Sequence, residues 1–274
     1  MGVPYAEVIG DPIAHSKSPL IHKYWLERLG LAGDYRAVRV TADELPAYFE
    51  SRHADPDWRG CNVTIPHKEA AISLLDEVED PGIGAVNCVV PRNGRLIGRN
   101  TDSGGLDQAW NFDVPTDAPV CIIGAGGAAK AAFESLDMLA VYQFHLIARD
   151  PAKVRPLLAP HRDYARHFGF DRGEQALAEC VGVINATPLG MHGFPPMPDS
   201  ILAGLAGVRR GGFALDMVYS PLETVFLSRA RKEGLQVVDG LTVLIGQARY
   251  AFFHFFGGSL VCEEDPRLRE LLGA

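Results

Sequence analysis

Three stretches of this 274-residue chain have residue types and spacing that could do chemistry. The first is Asn62-Val63-Thr64-Ile65-Pro66-His67-Lys68. Pro66 reads as the first position of a helix, which puts Lys68 in the opening turn, where a cation is electrostatically disfavoured. An amine placed there suits proton transfer. The second stretch surrounds Asn93-Gly94, a two-residue hairpin signal between Val86 to Val90 and Leu96 to Asn100. That turn sets Arg92 opposite Arg95 and Asn87 opposite Asn100. Residues two apart share a face, so Asp102 is expected to project beside Asn87, an acid and an amide together. The third is Gly124-Ala125-Gly126-Gly127-Ala128-Ala129, a GxGxxA string between the apolar run Val120 to Ile123 and an alanine-rich helix. Its first glycine permits a tight turn, its second lets a pyrophosphate reach the backbone, and the helix end supplies amides and partial positive charge.

Other polar groups stand near element ends. Ser16-Lys17-Ser18 precedes Pro19 at a helix N-terminus, with Ser18 as the N-cap, a place suited to holding a carboxylate. The strand after the glycine-rich helix ends Ile147-Ala148-Arg149-Asp150, with Lys153 one turn on. An acid at that tip would bind both ribose hydroxyls and select NAD; two cations there favour the 2′-phosphate of NADP. Asp150 is an unwelcome neighbour for that phosphate and keeps an NAD-using alternative open. Gln247 lies off the apolar stripe of the last helix and by itself reads as solvated.

These groups need a frame to hold them. Tyr5 to Ile9 reads as a strand, Ser18 to Gly30 as a helix, Asp34 to Val40 as a strand, and Thr41 with Glu44 as a capping box for the next helix. Gly60 to Ile65 reads as a buried strand. After a Pro- and Asp-rich break at Asn111 to Pro119, strands and helices alternate. The helix is Gly127 to Ala140 and the strands are Phe144 to Ala148, Val181 to Asn185, Phe213 to Met217 and Gln236 to Val238. Such alternation predicts a parallel, doubly wound sheet. Gly190 to Ser200 reads as a long loop. Ser220-Pro221-Leu222-Glu223 combines a capping box with proline at the first helical position, predicting a helix to Arg231. A last helix, about Leu241 to Phe256, carries Leu244, Ile245, Ala248, Phe252 and Phe255 as a core stripe. The fold class is α/β.

The length favours two domains. Apolar residues make up 47% and charged residues 22%, which excludes a disordered chain. A net charge of -8 argues against nucleic acid or an anionic membrane as main partner. No uncharged apolar run is long enough to span a bilayer, and no leader is visible, so a cytoplasmic location is expected. Five cysteines without metal-like spacing predict reduced, mostly buried thiols and no metal site.

The strings Ile9 to Pro19, Asn62 to Lys68, Gly84 to Asn87, Asn100 to Asp102, Gly124 to Ala129, Asn185 to Met191, Asp216 to Tyr219 and Asp239 to Leu241 with Gln247 run in order along nearly the whole chain. Together they resemble the shikimate dehydrogenase family. The resemblance implies a substrate domain at 1–102, joined by 240–274, and a Rossmann-type NADP domain at 103–239. It implies reversible reduction of 3-dehydroshikimate to shikimate, with Lys68 and Asp102 as the catalytic pair, meeting at the gap between domains beside the nicotinamide. Ser16, Ser18 and Tyr219 would hold the carboxylate, and Thr64, Asn87 and Gln247 the ring hydroxyls. Gly124, Ala125, Gly126, Gly127, Ala128, Arg149, Lys153 and Thr187 would hold the cofactor, and Met217 and Gly240 would line the nicotinamide pocket. The implied partner is a small-molecule substrate, in a monomer or homodimer. Ala148-Arg149-Asp150 departs from the Asn-Arg-Thr that is frequent in the family. A non-catalytic NADP-binding sensor on the same fold is the rival of another class. It has no chemical need for both Lys68 and Asp102.

Overall fold

The computed structural model describes residues 2–79, 81–161, 163–258 and 265–273. They form two compact units, Met1–Gly104 with Ile245–Ala274, and Gly105–Leu244.

The first unit follows the order β1 (Tyr5–Gly10), α1 (Ser18–Leu29), β2 (Asp34–Arg39), α2 (Leu45–His53), β3 (Trp58–Val63), β4 (Glu77–Val78), β5 (Cys88–Arg92) and β6 (Arg95–Arg99), and α3 (Asp102–Asp107) begins in it and ends in the second. Its sheet runs β2-β1-β3-β5-β6-β4. β1 pairs in parallel with β2 and β3, and β5 runs antiparallel to both β3 and β6. Consequently the ends of β1, β3 and β6 and the start of β5 lie along one edge. Asn93 and Gly94 both take positive φ, as a tight two-residue hairpin turn requires, and Arg92 pairs with Arg95. One face of the sheet packs Ile9, Phe49, Trp58, Val63, Val86 and Val89; the other packs Val8, Tyr35, Cys88, Ala251 and Phe255.

The second unit continues with β7 (Val120–Ile123), α4 (Gly127–Met138), β8 (Phe144–Ile147), α5 (Pro151–Leu158), β9 (Ala165–Phe168), α6 (Gly173–Leu177), β10 (Gly182–Asn185), α7 (Asp199–Gly204), β11 (Phe213–Asp216), α8 (Val225–Lys232) and β12 (Gln236–Val238). The chain ends in α9 (Gly240–Phe256) and α10 (Pro266–Leu271). The six strands are all parallel in the order β12-β11-β10-β7-β8-β9, successive strands being added to one side of β7 and then, from β10, to the other. Val120 to Ile123 is buried throughout, as an interior parallel strand covered on both faces must be.

Several local expectations give way to tertiary partners. The N-cap of α1 is Lys17, not Ser18; the Ser18 amide donates to Ser16 Oγ at 3.3 Å. No helix starts at Pro66. The His67 amide closes a turn on the Thr64 carbonyl (2.9 Å), and the Lys68 carbonyl is taken by the Val86 amide (2.8 Å) rather than by a helical successor. A short 3-10 helix begins only at Ala70. The helix expected from Ser220 begins after Thr224, whose hydroxyl accepts from the Leu227 amide, while the Ser220 carbonyl accepts from His192. At Thr41 only half the capping box forms: Glu44 Oε2 accepts from the Thr41 amide at 2.8 Å. Gln247 is buried, not solvated.

Candidate active site

Along the common edge of the first sheet, backbone bonds draw separate loops together. The Thr64 amide donates to the Ile9 carbonyl (2.9 Å) and the Asp11 amide to the Ile65 carbonyl (3.1 Å), which lays the turn after β3 beside the loop after β1. Gly10 allows this approach, since a Cβ there would lie 2.6 Å from Thr64 Cγ2. Ser16 and Thr64 are half-buried, and Ser18 is buried.

Beyond that turn Lys68 Nζ pairs with Asp102 Oδ2, and both side chains are largely but not wholly covered (17% and 14% exposed). Asn87 holds the carboxylate from the other side, donating from Nδ2 to Asp102 Oδ1 at 2.7 Å. Its own Oδ1 accepts from the Thr101 amide (2.6 Å) and hydroxyl (3.1 Å). The Thr101 hydroxyl also reaches Gln247 Oε1 on α9 at 3.3 Å. Thus Lys68, Asp102, Asn87 and Gln247 form one network, and both members of the ionic pair belong to the first unit rather than to opposite sides of a domain gap.

Asp102 arrives there by an unexpected route. β6 ends at Arg99, so strand alternation does not carry its side chain to Asn87. Instead Asn100 Oδ1 accepts from the Asp102 amide at 2.9 Å, folding the chain into α3. Behind the pair, the Asn87 carbonyl accepts from the Val63 amide (2.8 Å) and from Asn62 Nδ2 (3.1 Å). Asn62 Oδ1 in turn accepts from the Tyr35 hydroxyl at 2.6 Å. Thr101 and Asn62 are functional candidates that sequence reasoning left unassigned, although both lie inside the strings it singled out. No local rule marks a threonine as a bridge between an amide on one strand and a glutamine 146 residues away.

In the second unit the glycine string turns from β7 into α4. Gly124 has φ +113°, and a Cβ on it would stand 2.8 Å from Thr187 Cγ2. Gly126 is the N-cap of α4, and nothing lies within 4 Å of a Cβ built there. That open space lies at the N-terminus of α4, where backbone amides and partial positive charge suit a phosphate group. Thr187 follows β10, and its hydroxyl donates to Asn185 Oδ1 at 2.6 Å. Arg149 and Lys153 are exposed after β8. Asp150 between them is the N-cap of α5, its carboxylate accepting from the Ala152 amide at 2.9 Å. Met217 and Tyr219 are half-buried on the loop after β11, and burial pushes the Tyr219 hydroxyl pKa up. A Cβ at Gly240 would lie 2.5 Å from the Val218 carbonyl oxygen. Tyr219 therefore sits in the second unit, while Ser16 and Ser18 sit in the first.

Among the described residues no His, Cys, Asp and Glu cluster could hold a metal, and no helix is long and apolar enough to cross a membrane. Cys61, Cys88, Cys121 and Cys180 are free and buried.

Residues 8–89 match the family model described as the shikimate dehydrogenase substrate binding domain. The chain is 44% identical to a shikimate dehydrogenase (NADP(+)) of Sphingopyxis alaskensis, covering 99% of this chain and 97% of that one. Among solved structures it is similar to the shikimate 5-dehydrogenase of Thermus thermophilus in complex with NADP(H) and shikimate. There the TM-score is 0.80, with 33% identity and 98% of each chain covered. It is also similar to that of Listeria monocytogenes in complex with shikimate and NAD. That match has a TM-score of 0.85 and 27% identity, over 98% of this chain and 96% of the other.

Proposed function

The chain belongs to the shikimate dehydrogenase family, and from that premise we propose that it is an oxidoreductase reversibly reducing 3-dehydroshikimate to shikimate with NADPH. The observation that carries the reading is the Lys68–Asp102 pair, clamped by Asn87 at the edge where the loops after β1, β3 and β6 converge. The unit containing β1 to β6 takes the substrate and the unit containing β7 to β12 takes the dinucleotide.

When bound, the nicotinamide supplies the hydride; the protein's work is orientation and proton handling. In the reducing direction Lys68 gives a proton from Nζ to the substrate oxygen as that oxygen becomes a hydroxyl. Help of this kind is worth about 10²–10⁴-fold. Asp102 keeps Lys68 aimed and, with a lone pair left on each carboxylate oxygen, accepts the hydroxyl of shikimate. Asn87 has one N–H remaining after its bond to Asp102, enough to hold a ring hydroxyl alongside Thr64 and Gln247. Ser16 and Ser18 take the carboxylate.

On the dinucleotide, Gly124 to Ala128 and Thr187 bind the phosphates, and Met217 and Gly240 flank the nicotinamide. Arg149 and Lys153 bind the 2′-phosphate. The structural support for NADP is that one oxygen of the Asp150 carboxylate caps α5 at the Ala152 amide, while Arg149 and Lys153 stand exposed on either side to meet the phosphate. We place the enzyme in the cytoplasm, as a monomer or homodimer.

The test is NADPH formation from shikimate and NADP by the purified protein, run beside quinate and beside NAD. Turnover confined to shikimate with NADP is expected. No turnover by a folded protein that still binds NADPH would leave the sensor reading in its place, and equal rates with NAD would remove the role given to Arg149.

A further inference from the structure

We propose that Asp216 is a positioning residue of the dinucleotide site: its buried carboxylate ties the loop after β10 and the loop after β11 into one edge set against the glycine turn. This rests on the reading of Gly124 to Ala128 as the dinucleotide site and assigns that site a member it otherwise lacks.

Asp216 ends β11 with no solvent exposure. Its Oδ1 accepts from Asn185 Nδ2 at 2.9 Å and from the Val218 amide at 3.0 Å, and its Oδ2 accepts from the Thr224 hydroxyl at 2.6 Å. Each donor belongs to a different piece of backbone. Val218 lies in the loop bearing Met217 and Tyr219, and Thr224 caps α8 at that loop's far end. Asn185 ends β10. Through Asn185 the connection continues, because its Oδ1 accepts from the Thr187 amide (3.1 Å) and hydroxyl (2.6 Å). Its Nδ2 also donates to the Leu189 carbonyl at 3.2 Å. Thr187 then places its methyl where Gly124 leaves room for it. One carboxylate thereby sets the relative height of Thr187, Met217 and Tyr219.

A neutral side chain would pack there at lower desolvation cost. A carboxylate is retained because only an acceptor-only group satisfies three donors from three segments at once. No charged group from α8, β10 or β12 contributes to it, so burial dominates and its pKa is pushed up to about 6. Protonation removes an acceptor site and adds a donor, so the hub holds its full set of bonds only above that pH.

The experiment measures NADPH dissociation constants by fluorescence for wild type and Asp216→Asn from about pH 8 to about pH 5. The ratio of variant to wild type cancels the titration of the ligand's own 2′-phosphate. The expected ratio is roughly tenfold near pH 8, the scale of one lost charge-assisted bond. It should fall toward one near pH 5, where the wild-type carboxyl is itself neutral. A ratio near one throughout, or one that does not change with pH, overturns the proposal. Wild-type protein that binds no NADPH overturns the dinucleotide reading and the proposal with it. Should Asp216→Asn not fold, Thr224→Val and Thr224→Ser replace it. Valine is expected to weaken NADPH severalfold and serine to restore it, and equal affinities in the two overturn the assignment.

Discussion

Asp102, which opens α3, and Asp216, which ends β11, are two carboxylates used in opposite ways. Asp102 is partly exposed and faces an ammonium, with the Asn87 amide on its other carboxylate oxygen. Asp216 is fully covered and meets only neutral donors. For an ion pair as covered as Lys68–Asp102 the desolvation of two charges offsets much of their attraction, so its value lies in presenting a proton and a lone pair to a ligand. The charge of Asp216 is spent on geometry and is closed to any substrate. The contrast separates chemistry in the first unit from architecture in the second, and variants should respect that separation.

The largest expected effect is at Lys68. Lys68→Ala should lower turnover by about 10²–10⁴-fold while the NADPH dissociation constant stays at the wild-type value. Steady-state rates and fluorescence titration check both halves, and a parallel loss of cofactor affinity would show that the two regions are not separable. Gly124→Ala should give the converse. With φ at +113° and Thr187 Cγ2 2.8 Å from the new methyl, the variant should lose about 1–3 kcal/mol of stability. Its cofactor KM should rise far more than its shikimate KM.

The support behind the catalytic network gives a smaller, pH-dependent effect. His22 is fully buried, has no hydrogen-bond partner among the described residues, stacks on Tyr35 at 3.9 Å, and burial lowers its pKa to about 3. The native state therefore binds fewer protons than the unfolded chain below about pH 6.5. Stability is intact above that value and falls as pH drops toward 3, by about 2 kcal/mol at about pH 5. Urea midpoints of His22→Leu should lose this acid sensitivity; a variant that still weakens in step with wild type would assign the effect to other groups. Smallest is the cofactor preference. Arg149→Glu should reduce the NADP-over-NAD ratio of kcat/KM by roughly tenfold with shikimate KM unchanged.

How much could be read in advance follows from how far each interaction reaches. Asn93-Gly94 specified its hairpin and the Arg92–Arg95 pairing, because a turn's φ requirements are met within two residues. Val120 to Ile123 followed by glycines specified a strand, a tight turn and a helix for the same local reason. The polar strand Ala165–Phe168 and the short helices α6 and α7 left no periodic signal and went unread. The proline signals misled in two ways: no helix starts at Pro66, and the one expected at Pro221 starts only after Thr224, since the Lys68 and Ser220 carbonyls bond to Val86 and His192 elsewhere in the chain.

Residue types and spacing alone were enough to nominate Lys68, Asp102, Asn87 and the glycine loop as reactive or binding groups. Tertiary structure decided what surrounds them: the burial of Gln247, the Asn100 turn that swings Asp102 toward Asn87, and the three donors gathered on Asp216. Chain-local rules are set by steric and hydrogen-bonding limits over a few residues, whereas these contacts exist only once sheet order has brought distant strand ends to the same edge.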